Sequence, residues 1–487
     1  MGKNIVFSQS ITNMLTTYIG FAFGAVNTLF FYPSFFSQEN YGLVSYLLSA
    51  ATLVWPFMGF GIQNTLIKFY SGYTSKIEQE KLLSLALFFP LFIALVSGSV
   101  GLLIFDKITS YYQTNALVQP YIWSMYFIAL AIAYFELFFA WSKLKLKSVF
   151  GNFMKEVFHR VSISVLLFLV YKNHLDITSF IWCMVGVYVF RMLVIMAYAF
   201  WLIPPRIRFS LPENFKSILN YSALIFIAGS VATVLLELDK VMLERFIPIE
   251  LISVYAIGVY IASVIAVPAR ALHQIANPVS AKLLNTNKLE ELSVLYKKSS
   301  SNLLIISGLI FCLIIGNTTE LYQIIPENYD LGIWVLLLLC VIKLYENMLG
   351  NANAIIFNAD FYRRVLFIGV LVVLFAVLFN WVFIPKLGML GAALASFIAF
   401  GIYNSLKLFI IQKKLHIQPF SLKTLLQLAV IFTISYLSYT IDLTVSVWIG
   451  IAIKSVIIVL IYTFLTYMFK FSEELNTFIK KLLFFVK

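Results

Sequence analysis

Apolar residues along this chain come in long blocks separated by short polar connections. A helix needs roughly 20 mostly apolar residues to cross a bilayer core. Blocks of that kind fall at 10–32, 42–66, 82–105, 121–141, 151–171, 177–203, 216–237, 251–276, 299–316, 331–350, 365–385, 388–411, 424–441 and 446–469, fourteen in all. Block 151–171 opens on the polar run "NFMKEVFHR". No connection is long enough to hold an inserted soluble domain. The pattern predicts an all-α polytopic membrane protein with 14 transmembrane helices. The first block follows Lys3, is too long for a signal-peptide core and has no A-x-A-like site after it, so it reads as an uncleaved span.

Composition agrees. Of 487 residues, 61% are hydrophobic and 12% charged, against about 25% charged in ordinary globular chains. The net charge of +13 raises nucleic-acid binding, and the positions of the charges decide against it. With the amino terminus placed in the cytoplasm and connections assigned alternately, 24 basic residues fall inside and 5 outside. The outer five are Lys107, Lys172, Lys240, Arg245 and Lys386; the inner set includes Lys68, Lys143, Lys145, Lys147 and Lys155. This is the positive-inside pattern, and it puts both termini in the cytoplasm. The basic residues spread over eight loops and tails instead of one face, so nucleic acid drops out as a partner. Trp123, Trp141, Trp182, Trp201, Trp334, Trp381 and Trp448 fall near predicted span ends, as an aromatic belt would.

Other chemistry is sparse. Cys183, Cys312 and Cys340 are scattered through apolar runs, and the four histidines lack ligand spacing, so neither a disulfide framework nor a metal site is expected. There is no G-x-x-x-x-G-K-[ST]. No outer connection offers an acid pair with room for a sugar. The chain therefore reads as a transporter without a cofactor, and not as an enzyme. Two segments look amphipathic and suited to the cytoplasmic leaflet surface: 283–298, with Leu289, Leu292, Leu295 and Tyr296 on one face, and the tail after Ser472.

Six basic residues remain inside spans: Arg160, Arg191, Arg270, Lys343, Lys407 and Lys454. An ionisable residue at that depth costs at least a few kcal/mol, so each demands a reason. Lys407 and Lys454 can snorkel toward span ends. Arg160 has Glu156 one turn before it and Glu136 on the preceding span, which suits a structural ion pair. Arg191 has no evident partner. Arg270 lies in "SVIAVPARALHQIANPVS", where Ser263, Arg270, His273, Gln274 and Asn277 share one helical face between Pro268 and Pro278. The tenth span repeats this with Lys343, Glu346, Asn347, Gly350, Asn351 and Ala354. Such stripes fit a water-filled cavity. The second span carries Ser45, Ser49, Thr52, Pro56, Gly59 and Gln63; the first carries Asn13, Thr17, Gly20, Gly24 and Asn27. Close packing through small residues accounts for these two as well as a cavity does.

Three stretches resemble one family: "FFYPSFFSQENYGLVSYLLSAATLVWPFMGFGIQNTLIKFYS" at 30–71, "LDKVMLERFIPIELISVYAIGVYIASVIAVPARALHQIANPVS" at 238–280, and "IPKLGMLGAALA" at 384–395. They are similar to the polysaccharide flippases of the MOP superfamily, the Wzx-like O-antigen and capsule exporters. The resemblance implies two six-helix lobes with pseudo-two-fold symmetry, at 1–210 and 211–415, with two further helices and an amphipathic tail at 416–487. It implies a multi-pass protein of the bacterial cytoplasmic (inner) membrane. Its substrate would be an undecaprenyl-pyrophosphate-linked oligosaccharide, moved from the cytoplasmic to the outer leaflet by alternating access through a cationic cavity between lobes. Partners would be that lipid-linked oligosaccharide, membrane lipids, and the polysaccharide polymerase and chain-length machinery. On this reading Arg270 contacts the pyrophosphate, with His273, Gln274 and Asn277 beside it. Lys343 and Arg191 are further candidates, Gln63 and Asn347 line the path, and Lys68 recruits the head group. His273 offers a pH sensor as an alternative. A lipid II flippase and a MATE-type drug or cation antiporter are the competing transporters. A membrane-embedded glycan polymerase or ligase is the competing enzyme.

Overall fold

A computed structural model of the chain describes residues 2–112, 115–325, 329–472 and 476. The long helices are α1 (Gly2–Val26), α2 (Gln38–Gly59), α3 (Ile62–Tyr70), α4 (Lys76–Leu103), α5 (Ile122–Lys143), α6 (His159–Tyr171), α7 (Ile177–Leu202), α8 (Phe215–Phe246), α9 (Glu250–Ser263), α10 (Val267–Asn285), α11 (Leu289–Gly316), α12 (Ile333–Met348), α13 (Tyr362–Leu415), α14 (Leu422–Thr440) and α15 (Val447–Met468). Among the described residues there is no strand. Among the described residues, eleven helical stretches are long and apolar enough to cross a membrane, or 12 when the bent α8 counts as one span. The chain is a multi-pass membrane protein. Block 151–171 falls outside that count because its helix is polar and passes through a π-helical turn, Met154–Phe158, before α6. The 54-residue α13 is two helices meeting at Gly388, whose φ of 56° and ψ of −133° are not helical.

The chain packs as two compact units: residues 1–256 with 380–388, and residues 257–379 with 389–487. In the first, Phe135, Phe138 and Trp141 of α5 centre a core with Leu66, Leu82, Leu83, Ile195 and Ala199. Trp141 is fully buried and donates its indole N–H to the Ile203 carbonyl at 3.2 Å. It is a core residue and no part of an interfacial belt, whereas Trp182, Trp201, Trp334, Trp381 and Trp448 are exposed. Apolar packing between helices in lipid gains little from hydrophobicity, so small residues and interhelical hydrogen bonds carry more of the association. The α1 stripe does this. A Cβ on Gly20 would overlap the Glu156 carbonyl. Asn13 donates to Ser148 Oγ at 2.9 Å, and Asn27 donates to the Arg160 carbonyl at 2.8 Å. Such bonds are worth about 0.6 kcal/mol each on average, and here they tie α1 to the 149–171 helix. Packing, not a cavity, explains the first-span stripe.

In the second unit, Leu292 and Tyr296 are fully buried against Leu283, Leu349, Ala352 and Ile355. Segment 283–298 is thus the end of α10 and the first turns of α11, with its apolar face in protein instead of on a leaflet surface. The tail expected after Ser472 lies, apart from Asn476, outside the described residues.

The family-like stretches have local reasons for their residues. A side chain at Gly42 in "ENYGL" would overlap the Ile249 carbonyl in "FIPIEL". Asn115 closes the same corner: its amide donates to the carbonyls of Glu244 at 2.5 Å and Ile247 at 3.2 Å and accepts from Ile249 N–H at 3.2 Å. Asp239 of "LDKVML" is buried and accepts from Tyr255 Oη at 2.5 Å and Asn380 Nδ2 at 3.0 Å. In "IPKLGMLGAALA", Gly388 makes the kink, and Ala392, Ala393 and Ala395 are fully buried after it. The space around Gly388 is open, its nearest neighbour for an added Cβ being Ile247 at 3.9 Å. Backbone conformation alone therefore demands glycine there. Gly388→Ala is expected to cost about 1–3 kcal/mol, read as lowered thermal stability in detergent; a variant as stable as wild type would refute this account of the motif.

Candidate functional site

The first unit gathers charge around the second half of α5. Glu136 and Lys143 are seven residues apart on α5, so they share a face. Lys155 comes from the π-helical turn, and its Nζ lies 2.6 Å from Glu136 Oε1. That turn widens the helix locally and aims a side chain where an α-helix would not. Glu156 pairs with Arg160 at 3.3 Å, the structural pair expected for that arginine, while Glu136 serves Lys155 instead. Arg191 of α7 is buried, with its guanidinium over Phe135 at 4.7 Å and Tyr188 at 4.3 Å. Its Nε, like His159 Nδ1, is buried with no hydrogen-bond partner.

A cavity of about 290 Å³ opens onto this cluster. Its wall includes Gln63, Asn64, Glu136, Lys143, Lys155 and Ser230. Helix α2 stops before it because Phe60 and Gly61 take positive φ, 44° and 73°, and α3 restarts at Ile62. The break brings Gln63 to the cavity wall. Lys143 lies over the Phe139 ring at 3.7 Å, and among the described residues no carboxylate is within ion-pair distance of it. Two lysines against one glutamate leave the wall with one excess positive charge. Such a wall can accept an anion: an ammonium on a flexible stem gives three donors and needs no geometric match beforehand.

The second unit holds a separate cluster. Lys343 Nζ bonds Glu346 at 2.9 Å, and the Glu346 charge also acts on Lys407 and His273. Lys407 is buried and donates to Asn353 Oδ1 at 3.2 Å, so it does not snorkel. Lys454 does not either: it is buried in an ion pair with Glu320 at 2.5 Å. Asn347 donates to the Ile265 carbonyl at 2.5 Å and to Ser307 Oγ at 2.6 Å. Pro268 has no N–H to give, and the backbone before it tightens into a 3₁₀ turn, Val264–Ala266. Asn347 supplies a donor to that turn. Pro278, by contrast, sits inside the unbroken α10.

Of the nine residues singled out from sequence, Gln63 lines the cavity of the first unit and Arg191 lies in its charged cluster. Lys343 and His273 fall in the charged cluster of the second unit, and Asn347 holds the adjacent turn. Arg270 and Asn277 are exposed on α10, and the Gln274 side chain is outside the described residues. Lys68 is exposed, its Nζ 3.7 Å from the Tyr221 ring centre. Sequence reading missed Lys143 and Lys155 as site residues by assigning them to a connection. The seven-residue spacing of Glu136 and Lys143 was the available signal.

This fold is shared with solved membrane transporters. A structure described as lipid II flippase MurJ, inward closed conformation, superposes with a TM-score of 0.71 at 16% identity, covering 95% of this chain and 99% of that one. An inward-facing multidrug resistance MATE family transporter of the MOP superfamily gives 0.63 at 12% identity, covering 84% and 98%. The class is thus a MurJ- and MATE-like polytopic membrane protein. Residues 6–284 match the model of the family described as polysaccharide biosynthesis protein, more than half of the sequence, and the chain belongs to that family. A curated relative, the probable flippase AglR of Haloferax volcanii, is 26% identical over 169 residues. That alignment takes in 33% of this chain and 35% of the relative, about a third of its length. The family match contains the stretches 30–71 and 238–280, so the resemblance read from them is borne out.

Proposed function

We propose that the chain is a flippase for an undecaprenyl-pyrophosphate-linked oligosaccharide, an O-antigen, capsule or exopolysaccharide repeat unit. It moves the substrate from the cytoplasmic to the outer leaflet of the bacterial inner membrane. Counting 149–171 and both halves of α13 gives fourteen spans, and the charge asymmetry favours both ends inside. Lobes 1–210 and 211–415 then rock in alternating access, with 416–487 as an added pair and tail. The observation that carries the reading is the cavity in the first unit, whose wall holds excess positive charge at the end of α5, in a member of the polysaccharide biosynthesis family. Sugars cannot cross hydrocarbon, and the pyrophosphate needs a cation to replace its water. Lys143, with Gln63 and Arg191 nearby, is the first contact; Arg270, His273, Gln274, Asn277, Lys343 and Asn347 serve the path in the other unit, and Lys68 the approach. The polysaccharide polymerase and chain-length machinery would take the product.

Purified protein in liposomes carrying a labelled undecaprenyl-pyrophosphate oligosaccharide tests this. A reagent confined to the outside should reach nearly all of the labelled lipid when protein is present, and only the outer leaflet's share without it. Movement of lipid II but not of the oligosaccharide lipid would replace this reading with the lipid II one. In cells, Arg270→Ala is expected to lower surface-glycan export about tenfold or more, and Arg270→Lys less, because only the guanidinium makes a forked contact. Full export by the alanine variant at normal protein level would remove Arg270 from the path.

A further inference from the structure

A second cavity, of about 550 Å³, lies at one end of the second unit. Three helix ends form it: the α10–α11 connection with Asn285 and Asn287, the residues before α13 with Asn358 and Asp360, and the last turn of α13 with Lys414. Arg364, in the first turn of α13, completes the wall. None of these residues belongs to the charged clusters described above.

The walls are preformed. Asn287 takes a positive φ of 54°, and the chain around it is held by Asn287 N–H to the Leu284 carbonyl at 3.0 Å and Lys288 N–H to the Leu283 carbonyl at 2.9 Å. At the end of α13, His416 takes a φ of 56° and donates its N–H to the Gln412 carbonyl at 3.0 Å. Leu283, Val365, Ile411 and Ile417, within a few residues of the cavity, are buried in the core of the unit.

The chemistry of the walls selects an anion. Arg364 and Lys414 form no ion pair among the described residues, and Asp360 is the one acid on the wall. Around the cations stand the amides of Asn285 and Asn287. The Lys288 side chain does not cap α11, whereas at the start of α13 the Tyr362 and Arg364 N–H groups already bond the Ala359 and Phe361 carbonyls at 3.1 and 3.0 Å, so side chains supply most of the donors there. A guanidinium fork, an ammonium and neutral amide donors together match a tetrahedral phosphate better than a single carboxylate. The volume suits a phosphate with its substituent. Leu284, Leu289, Phe361 and Leu415 give the substituent an apolar side.

We infer that this cavity binds a phosphate group, separately from the transported substrate. An anionic phospholipid head group and a soluble phosphate monoester present the same chemistry, and the test separates them. Full-length protein is taken into phosphatidylcholine nanodiscs with and without phosphatidylglycerol, and bound lipid is read by native mass spectrometry. In pure phosphatidylcholine, glycerol 3-phosphate is titrated and followed by thermal shift. Either wild-type protein retains phosphatidylglycerol, making the ligand a lipid, or glycerol 3-phosphate stabilises it, making the ligand soluble. In each case Arg364→Gln with Lys414→Gln should weaken binding about tenfold or more. Arg363→Gln with Lys413→Gln removes the same charge from neighbouring residues off the wall and should bind as wild type. Arg364→Lys guards against a folding defect and should fall between. Binding of neither probe, or equal losses in the two double variants, would overturn the site.

Discussion

Lys454→Ala is expected to cost about 3–5 kcal/mol, the usual result of stripping one partner from a buried ion pair. Lys454 Nζ and Glu320 Oε1 are 2.5 Å apart, with side-chain exposures of only 4% and 8%. Glu320 Oε2 has no hydrogen-bond partner, so Lys454 is the main compensation this carboxylate has. Removing the lysine leaves a charge between α15 and the short helix Thr318–Ile324 with neither water nor cation to hold it. Glu320→Ala should cost a similar amount. The double change Lys454→Met with Glu320→Met should return close to wild type, because a well-packed apolar pair replaces two desolvated charges. Unfolding of the three variants in one detergent, each against wild type, reads these differences. A Lys454→Ala protein within about 1 kcal/mol of wild type would mean that water reaches the pair.

That pair shows where sequence reading stops in a membrane protein. Lys454 in an apolar block reads as a snorkelling lysine because its partner is on another helix, far away in sequence. Most blocks reappear as helices long enough to cross a membrane, eleven or 12 among the described residues, because hydrocarbon thickness sets a minimum length. Gly388 stood in sequence only as part of a family-like stretch, and the structure supplies its role, a kink set by local backbone conformation. Faces were not legible. Lipid and protein interior are both apolar, so hydropathy cannot say which of them an apolar stripe meets. Trp141 therefore looked like a belt residue and proved to be core. Segment 283–298 looked like a surface helix, yet Leu292 and Tyr296 are buried in the unit. The π-helical turn that aims Lys155 at Glu136 leaves no hydropathy signature, since it inserts no glycine or proline.

Lys143→Gln is expected to lower surface-glycan export at least about tenfold at normal protein level, the loss of one charge-assisted hydrogen bond being worth about 1.5–3 kcal/mol. Lys143→Arg should retain most export, since the cavity wall keeps its charge. Lys155→Gln by itself is a poor probe, because it also leaves Glu136 unpaired. Glu136→Gln with Lys155→Gln is the informative change. It removes one charge of each sign, so the wall keeps its single excess positive charge on Lys143. If net charge at the wall is what receives the pyrophosphate, this double variant exports while Lys143→Gln does not. If instead the Glu136–Lys155 pair is itself the moving part, the order reverses, and the double variant fails while Lys143→Gln exports. Wild-type export by both would take the first-unit cavity out of the transport path.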